Sequence, residues 1–366
     1  MIRAAVFDGP GTPFRVEPQP RPALAPGEAL VRVRMCTVCG SDLHTFTGKR
    51  REKTPCVLGH EPVGAIEEVS GELRAVSGDP VRVGDRVVWA VAVSCGACFF
   101  CSHGLPQKCE TLRKYGHEQI APRCGPVGGL ATHCHLLRGT AVVKVPAELP
   151  DEVAAPAGCA TATVAAVLRA GFGGRTPPTP RPEGKGAGGV GVVFGAGMLG
   201  LTASAWLDAL GWTPIACDVS EERLSQAAQF GARHLAKPDA LSELVTAATG
   251  GRGADIALEL SGAPSAARAA LDVLRTGGTA VWAGAVFPTD PVAVPPEAVV
   301  RKCLTLTGVH NYAPHDLARA VQFLAQHHTR YPFAQLVSRR FALGDVNAAF
   351  AFAEAGRPVR VAVDCG

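Results

Sequence analysis

The segment VGVVFGAGMLG, residues 190–200, joins an apolar run to a G-x-G-x-x-G turn. The run Val190–Phe194 predicts a buried strand, and the apolar pattern beyond it predicts a helix over 198–210. Asp218 follows 18 residues after Gly200, at the end of the next predicted strand, 214–217. The glycine pattern alone says little, but strand, turn, helix and acid in this order form a dinucleotide-binding fingerprint. Gly195 permits the tight turn, Gly197 lets the backbone approach a pyrophosphate, and Gly200 lets helix and strand pack closely. The free amides where the helix opens, at Met198 and Leu199, suit phosphates. Asp218 would accept the adenosine ribose hydroxyls and repel a 2′-phosphate, which favours NAD over NADP.

Outward from this turn the chain alternates strand and helix. Residues 221–230 read as a polar-faced helix, and 255–259, 279–283 and 304–308 as further strands. Such alternation predicts an α/β fold with a doubly wound parallel sheet covered on both faces. The first 150 residues read differently. Residues 29–35 and 81–88 alternate apolar and polar, the latter around a Gly-Asp turn, as antiparallel strands do. Residues 151–170 are Ala-rich and predict one helix, and 171–189 are rich in Gly and Pro and predict a flexible surface insertion. The last part predicts a helix over 316–325 and a closing strand in VRVAVDCG. Two domains are therefore expected: a β-rich one over 1–157, completed by 310–366, and a cofactor domain over 158–309.

The chain has 366 residues, 47% hydrophobic and 19% charged, which excludes wholesale disorder. Its net charge of +4 comes without blocks of like charge and argues against a nucleic-acid partner. The uncharged run 186–207 is long enough for a membrane span, but its bunched glycines fit a strand–turn–helix better. The N-terminus has no apolar leader, which predicts a cytoplasmic protein. In that setting the 13 cysteines are better read as metal ligands or thiols than as a disulfide framework.

Cys95, Cys98, Cys101 and Cys109 form C-x2-C-x2-C-x7-C. Four thiolates so close in sequence can close a tetrahedron around one Zn2+ and pin a loop with little core of its own. An iron–sulfur cluster is the rival, although the short C-x3-C-P ending is absent. A second constellation begins at Cys39 and continues at His60, 21 residues later. A catalytic zinc needs three protein ligands and an open position. Cys159 is the best third candidate, in competition with Cys36, Cys56, Cys124, Cys134, His117, His133 and His135.

CGSDLH at 39–44, GHEPVG at 59–64, the four-cysteine loop, VVFGAGMLGL at 192–201 and VRVAVD at 359–364 together resemble the zinc-containing medium-chain alcohol dehydrogenases, including their threonine and polyol branches. The resemblance implies a GroES-like β domain, a Rossmann domain and hydride transfer between a primary or secondary alcohol and NAD. It implies two Zn2+ per chain, a small-molecule alcohol or carbonyl partner, and a homodimer or homotetramer. By position it makes Cys39, His60 and Cys159 catalytic zinc ligands, with Glu61 a neighbouring carboxylate able to approach the metal. Asp42 orients the His60 ring, Ser41 and His44 relay a proton, and Thr163 lies near the nicotinamide. Arg223 and Gly284 fall at the cofactor, and Arg360 at its pyrophosphate.

The segments YGHE, GTAVVKVP, PAGCATATV and GVHNY are similar to a narrower subgroup associated with phosphonate catabolism. That likeness adds a hydroxyphosphonate-like substrate to polyols and amino alcohols, with His310, Asn311, Tyr312 and Arg113 as candidates near it; for Arg113 ordinary loop chemistry is the simpler expectation. Two other readings stand beside the dehydrogenase. A zinc-independent quinone or enoyl reductase is disfavoured by Cys39, His60 and Cys159 together. A zinc-stabilised NAD sensor is disfavoured by Ser41 and His44, because a sensor needs no proton relay.

Overall fold

Glu28–Val38 is the spine of the N-terminal part, an eleven-residue strand buried on both faces over most of its length. It pairs antiparallel with Glu61–Ser70 along one edge and with Arg360–Asp364 and His133–Leu136 along the other. The register sets Thr37 opposite Glu61 and Val38 opposite Val361. The end of the spine is thereby bracketed by the start of the strand that follows His60 and by the start of the closing strand.

The structure, a computed structural model, describes residues 1–121, 124–173 and 188–366. The chain divides into two units. The first comprises Met1–Ala162, Ala313–His328 and Phe333–Gly366; the second comprises Thr163–Tyr312 and Thr329–Pro332. Of the insertion expected at 171–189, residues 174–187 lie outside the described residues. No single helix among the described residues is long and apolar enough to cross a membrane.

In the first unit an eight-stranded, largely antiparallel sheet and a three-stranded sheet enclose a core that includes Val31, Val33, Leu58, Trp89, Tyr115 and Phe350. Each fully buried side chain of this size contributes about 1.5–3 kcal/mol relative to exposure. Phe14 packs 4.7 Å from Phe350, and Phe46 packs 5.1 Å from it. These rings fasten the helix Gly40–Phe46 to the helix Val346–Gly356.

Two elements differ from the sequence expectation. The strand expected at 81–88 begins at Arg86 and runs to Val93, because the Gly84-Asp85 turn occupies the earlier residues and the Asp85 carboxylate accepts the Arg82 N–H. The helix expected at 151–170 is broken. Asp151–Ala154 and a 3-10 turn, Ala155–Gly158, meet Ala160–Gly171 at a bend of 55°. Pro156 cannot donate within the turn. Cys159, at the break, has φ −132° and ψ −76°. A continuous helix would have hidden this cysteine among its neighbours; the break carries it away from the helical path.

The strands and helices of the second unit are labelled here in chain order. They are β1 (Val190–Phe194), α1 (Met198–Ala209), β2 (Thr213–Cys217), α2 (Glu221–Gln229), β3 (His234–Ala236), α3 (Leu241–Thr249), β4 (Ala254–Glu259), α4 (Pro264–Asp272), β5 (Leu274–Trp282), α5 (Pro296–Arg301) and β6 (Thr305–Gly308). The six strands are parallel in the order β3-β2-β1-β4-β5-β6. The order reverses between β1 and β4, the switch point where open α/β sheets take ligands. The core on one face joins Val192, Phe194, Ile215 and Ala257 to Leu241, Ala270 and Leu271 of the covering helices.

The glycine turn follows β1. Gly195 sits at φ +91°, a conformation that an L side chain rarely adopts. A Cβ on Gly200 would stand 1.7 Å from the Gly195 carbonyl oxygen. Gly200→Ala is therefore expected to lower the stability of the chain by about 2–4 kcal/mol, the range of severe overpacking. A denaturant titration checks this, and an unchanged midpoint contradicts it.

Candidate metal centres and dinucleotide turn

Cys39 follows the spine strand and caps the helix Gly40–Phe46 with an extended backbone, φ −85° and ψ 159°. Asp42, at the third helical position and 1% exposed, reaches back so that its Oδ2 accepts the Cys39 N–H at 2.9 Å. Its Oδ1 accepts the Gly59 N–H at 3.3 Å and lies 3.2 Å from His60 Nδ1. One buried carboxylate thus ties both constellation residues together. With Nδ1 on Asp42, Nε2 of the buried His60 is turned the other way, and Ser41 Oγ stands 3.2 Å from it.

The donor atoms of Cys39, His60 and Cys159 all lie within 4.8 Å of one another. The cysteine freed by the helix break is the one that completes the trio. The Cys39 thiol is held well below its ordinary pKa by a hydrogen bond from Cys159, aided by the Arg360 charge and by His60. The same bond, with burial, pushes the Cys159 thiol up, so the pair favours one thiolate, a soft donor for a metal cation. The competing residues have other places. Cys36, Cys56 and Cys134 are buried, and burial pushes the Cys56 thiol up to about 12. His133 pairs with Glu67 at 3.0 Å and His135 with Glu28 at 2.9 Å. His117 packs 5.2 Å from His60, ring to ring, and faces Glu52 at 3.0 Å without joining the trio.

Glu61 and Arg360, which the resemblance places near the metal and at the cofactor, meet each other in the structure. Glu61 is fully buried and stays outside the trio. Arg360 closes on it with two parallel bonds of 2.7 Å, from Nε to Oε2 and from Nη2 to Oε1. Thr37 donates to the same Oε2 at 2.6 Å. Arg360 is 5% exposed, and its Nη2 also lies 3.7 Å from Cys39 Sγ. Its fork therefore serves the buried carboxylate and the sulfur. Thr37 escaped the sequence reading; only the strand register, which places it opposite Glu61, reveals it.

The four cysteines of the loop are also gathered within 4.8 Å. Sulfur–sulfur distances are 3.5 Å for Cys98–Cys101, 3.9 Å for Cys98–Cys109 and 4.0 Å for Cys95–Cys101. Backbone N–H groups of Ala97 and Cys98 point at Cys95 Sγ, and that of Cys95 points at Cys109 Sγ. The Cys95 amide, with Thr111, draws the Cys109 thiol down to about 6. Four sulfurs in this space leave no open coordination position. Among the described residues these are the two clusters able to hold a metal ion.

At the dinucleotide turn, Asp218 is 9% exposed. Its Oδ2 accepts the Ala196 N–H at 2.7 Å and its Oδ1 the Ser220 N–H at 2.9 Å. The acid is thus braced against the turn, each oxygen keeping a lone pair. Nothing lies within 4 Å of a Cβ built on Gly197, so the cradle is open there while the neighbouring glycines are packed. Met198 is buried and Leu199 half-buried at the start of α1. The Arg223 N–H caps α2 through Ser220 Oγ, at 3.3 Å. A Cβ on Gly284 would meet the Gly262 amide nitrogen at 2.2 Å. Thr163 lies in the helix Ala160–Gly171. Arg113 pairs with Glu118 at 3.0 Å, while Asn311 has φ +57° and Tyr312 is buried.

Known proteins match both halves of the chain. A family model described as an alcohol dehydrogenase GroES-like domain matches residues 25–147, and one described as a zinc-binding dehydrogenase matches residues 199–326. An alcohol dehydrogenase of Geobacillus stearothermophilus is 30% identical, with 89% of each chain covered. A 5-exo-hydroxycamphor dehydrogenase of Pseudomonas putida is 31% identical over 93% of this chain and 92% of its own. The crystal structure of an alcohol dehydrogenase from Thermotoga maritima superposes with a TM-score of 0.89 at 28% identity, covering 100% of this chain and 99% of that one. Identity at this level over almost the whole length makes the chain a member of the zinc-type medium-chain dehydrogenases/reductases, oxidoreductases that act on the CH–OH group of small-molecule alcohols.

Proposed function

We propose that the chain oxidises a small polar primary or secondary alcohol with NAD. Cys39, His60 and Cys159 hold the catalytic Zn2+, and Cys95, Cys98, Cys101 and Cys109 hold a second, structural one. The observation that carries this reading is the trio itself: two sulfurs and an imidazole within 4.8 Å, with the Ser41 hydroxyl at the imidazole edge. Three protein donors leave one tetrahedral position for a substrate oxygen. The metal, when bound, supplies a Lewis acid for the hydroxyl, and NAD supplies the hydride acceptor.

The chain's own residues do the rest. Asp42 receives the His60 Nδ1–H, which fixes the tautomer and leaves Nε2 as the donor lone pair. Arg360 brings a positive charge beside the Cys39 sulfur and holds Glu61 away from it. Ser41 Oγ takes the proton of the substrate hydroxyl and passes it towards His44, three residues on along the same helix face. Burial, with the Lys49 charge, holds the His44 pKa below its ordinary value, so the ring is neutral and able to accept a proton near pH 7. Asp218 offers its remaining lone pairs to the ribose diol and disfavours a 2′-phosphate. Thr163, Arg223 and Gly284 complete the cofactor contacts. A polar substrate, whether polyol, amino alcohol or hydroxyphosphonate, is supported by the polar chain that begins beside His60: His117 at 5.2 Å, held on Glu52 at 3.0 Å, which in turn pairs with Arg50 at 2.6 Å.

Metal analysis of the full chain is expected to give two zinc ions. Cys39→Ala and Cys159→Ala should each keep one and lose turnover of alcohols in an NADH-production screen; retention of both ions by Cys159→Ala would refute the third ligand. Asp42→Asn is expected to weaken metal binding by about 10–100-fold, the usual effect of removing a ligand's orienting partner, as read by competition with a chelator. Asp218→Asn keeps acceptor capacity for the turn but drops the charge. It should narrow the preference for NAD over NADP by roughly tenfold, about 1.4 kcal/mol, in binding titrations of the two cofactors. An unchanged ratio contradicts the role given to Asp218.

A further inference from the structure

The polar chain that begins at His60 ends, within the first unit, on two cations that share one carboxylate. In the loop after the helix Gly40–Phe46, Arg50 and Glu52 are half-buried while Lys49, Arg51 and Lys53 are exposed. The Arg50 N–H donates to the His44 carbonyl at 2.9 Å, which hooks this loop to the helix that bears Ser41. The Arg50 Nε lies 2.6 Å from Glu52, and Glu52 lies 3.0 Å from His117, the ring packed on His60. The two Nη groups of Arg50 make no hydrogen bond among the described residues and are open to solvent.

The second cation is Lys114. It stands in a two-residue strand, Arg113–Lys114, opposite Ala92. Successive residues leave a strand on opposite faces. Arg113 goes to Glu118 Oε2 at 3.0 Å, and Glu118 Oε1 accepts the Lys114 backbone N–H at 3.1 Å, so that carboxylate is fully engaged. The half-buried Lys114 ammonium has no hydrogen bond or ion pair among the described residues, and its Nζ is not sealed from solvent. The Lys114 carbonyl accepts the His117 N–H at 3.2 Å, which keeps the lysine on the same turn as the ring beside His60. Partial burial, with Arg50 and Lys108 nearby, holds the Lys114 pKa below its ordinary value, opposed by Glu52. That same Glu52 already answers His117 and Arg50.

An ammonium removed from part of its water beside another cation is costly, and an incoming anion relieves the cost. We propose that the alcohol oxidised by this chain carries an anionic group, held by Lys114 Nζ and the Arg50 guanidinium, while its hydroxyl goes to the metal trio. The inference rests on the dehydrogenase reading given above and narrows its substrate. An amino alcohol would bring a third positive charge to the pair and be repelled; a plain polyol would leave both cations unanswered. A planar fork beside a point charge takes a carboxylate, a phosphonate or a phosphate monoester.

The test gives the zinc-loaded chain and NAD two anionic alcohols, β-hydroxybutyrate and hydroxyethylphosphonate, beside the neutral amide of the first, and follows NADH. At least one anion should exceed the amide in kcat/KM by about tenfold or more, the worth of one hydrogen bond to a charged group. Lys114→Gln should lower that ratio by about tenfold, mainly through KM, and Lys114→Arg should restore most of it. Lys53→Gln, the same change of charge on an exposed neighbour, should keep the ratio. A binding arm uses ethylphosphonate, which has no hydroxyl to oxidise, with NAD present. Calorimetry should show binding that Lys114→Gln and Arg50→Gln each weaken by about tenfold. Equal kcat/KM for anion and amide, or a ratio and a Kd untouched by Lys114→Gln, overturns this inference and leaves the dehydrogenase reading standing. Failure to oxidise any alcohol overturns that reading and the substrate drawn from it, and calorimetry then decides alone whether Lys114 and Arg50 receive an anion.

Discussion

The ion pair between Glu61 and Arg360 is the constraint around which the first unit is organised. Both groups are almost wholly removed from water, a loss that only good geometry and full hydrogen bonding offset. The geometry is good: two parallel bonds, with Thr37 taking a further lone pair. Removing one partner of such a pair typically costs about 3–5 kcal/mol, because the other charge is left buried alone. The pair also fixes where three strands end. Thr37 is the last residue but one of the spine, Glu61 opens the strand after His60, and Arg360 opens the last strand. Cys39 and His60 lie one residue or two from those ends, so their separation is set by the register of the sheet rather than by a flexible loop.

The two clusters able to hold a metal ion illustrate two ways of holding sulfur. The four-cysteine loop is local: one short stretch, rich in turns, aims its own amides at its own sulfurs. The trio is assembled from afar, and its orientation depends on Asp42, which links the Cys39 amide, the Gly59 amide and the His60 ring. The local cluster is closed. The distant one keeps a serine hydroxyl at its edge, the kind of neighbour that a reacting site needs and a structural site does not.

This contrast explains what could be read in the sequence. The four-cysteine loop and the glycine turn are contiguous motifs whose spacing is itself the geometry, and the parallel sheet followed from apolar runs alternating with helices. Cys159 was one of several candidates, because its selection depends on a helix break that the Ala-rich pattern of 151–170 conceals; Pro156 and Gly158 were the local signals of it. The positions of Glu61 and Arg360 depend on which strands pair, and side-chain alternation alone carries no pairing partner. Thr37 has no motif at all. The expected strand at 81–88 was displaced because alternation continues through the Gly84-Asp85 turn, where the backbone cannot follow it.

The closing strand has a bearing on how the chain is made. Arg360 lies 299 residues after Glu61, so its strand leaves a ribosome long after the spine and after every strand of the second unit. Domains are generally expected to fold in the order in which they are synthesised. Here that order is inverted: by Tyr312 all six strands of the second unit exist, while the spine still lacks a neighbour and Glu61 its counter-charge. The unit that is begun first is completed second, and until Arg360 arrives its central carboxylate has the Thr37 hydroxyl but no cation to answer it.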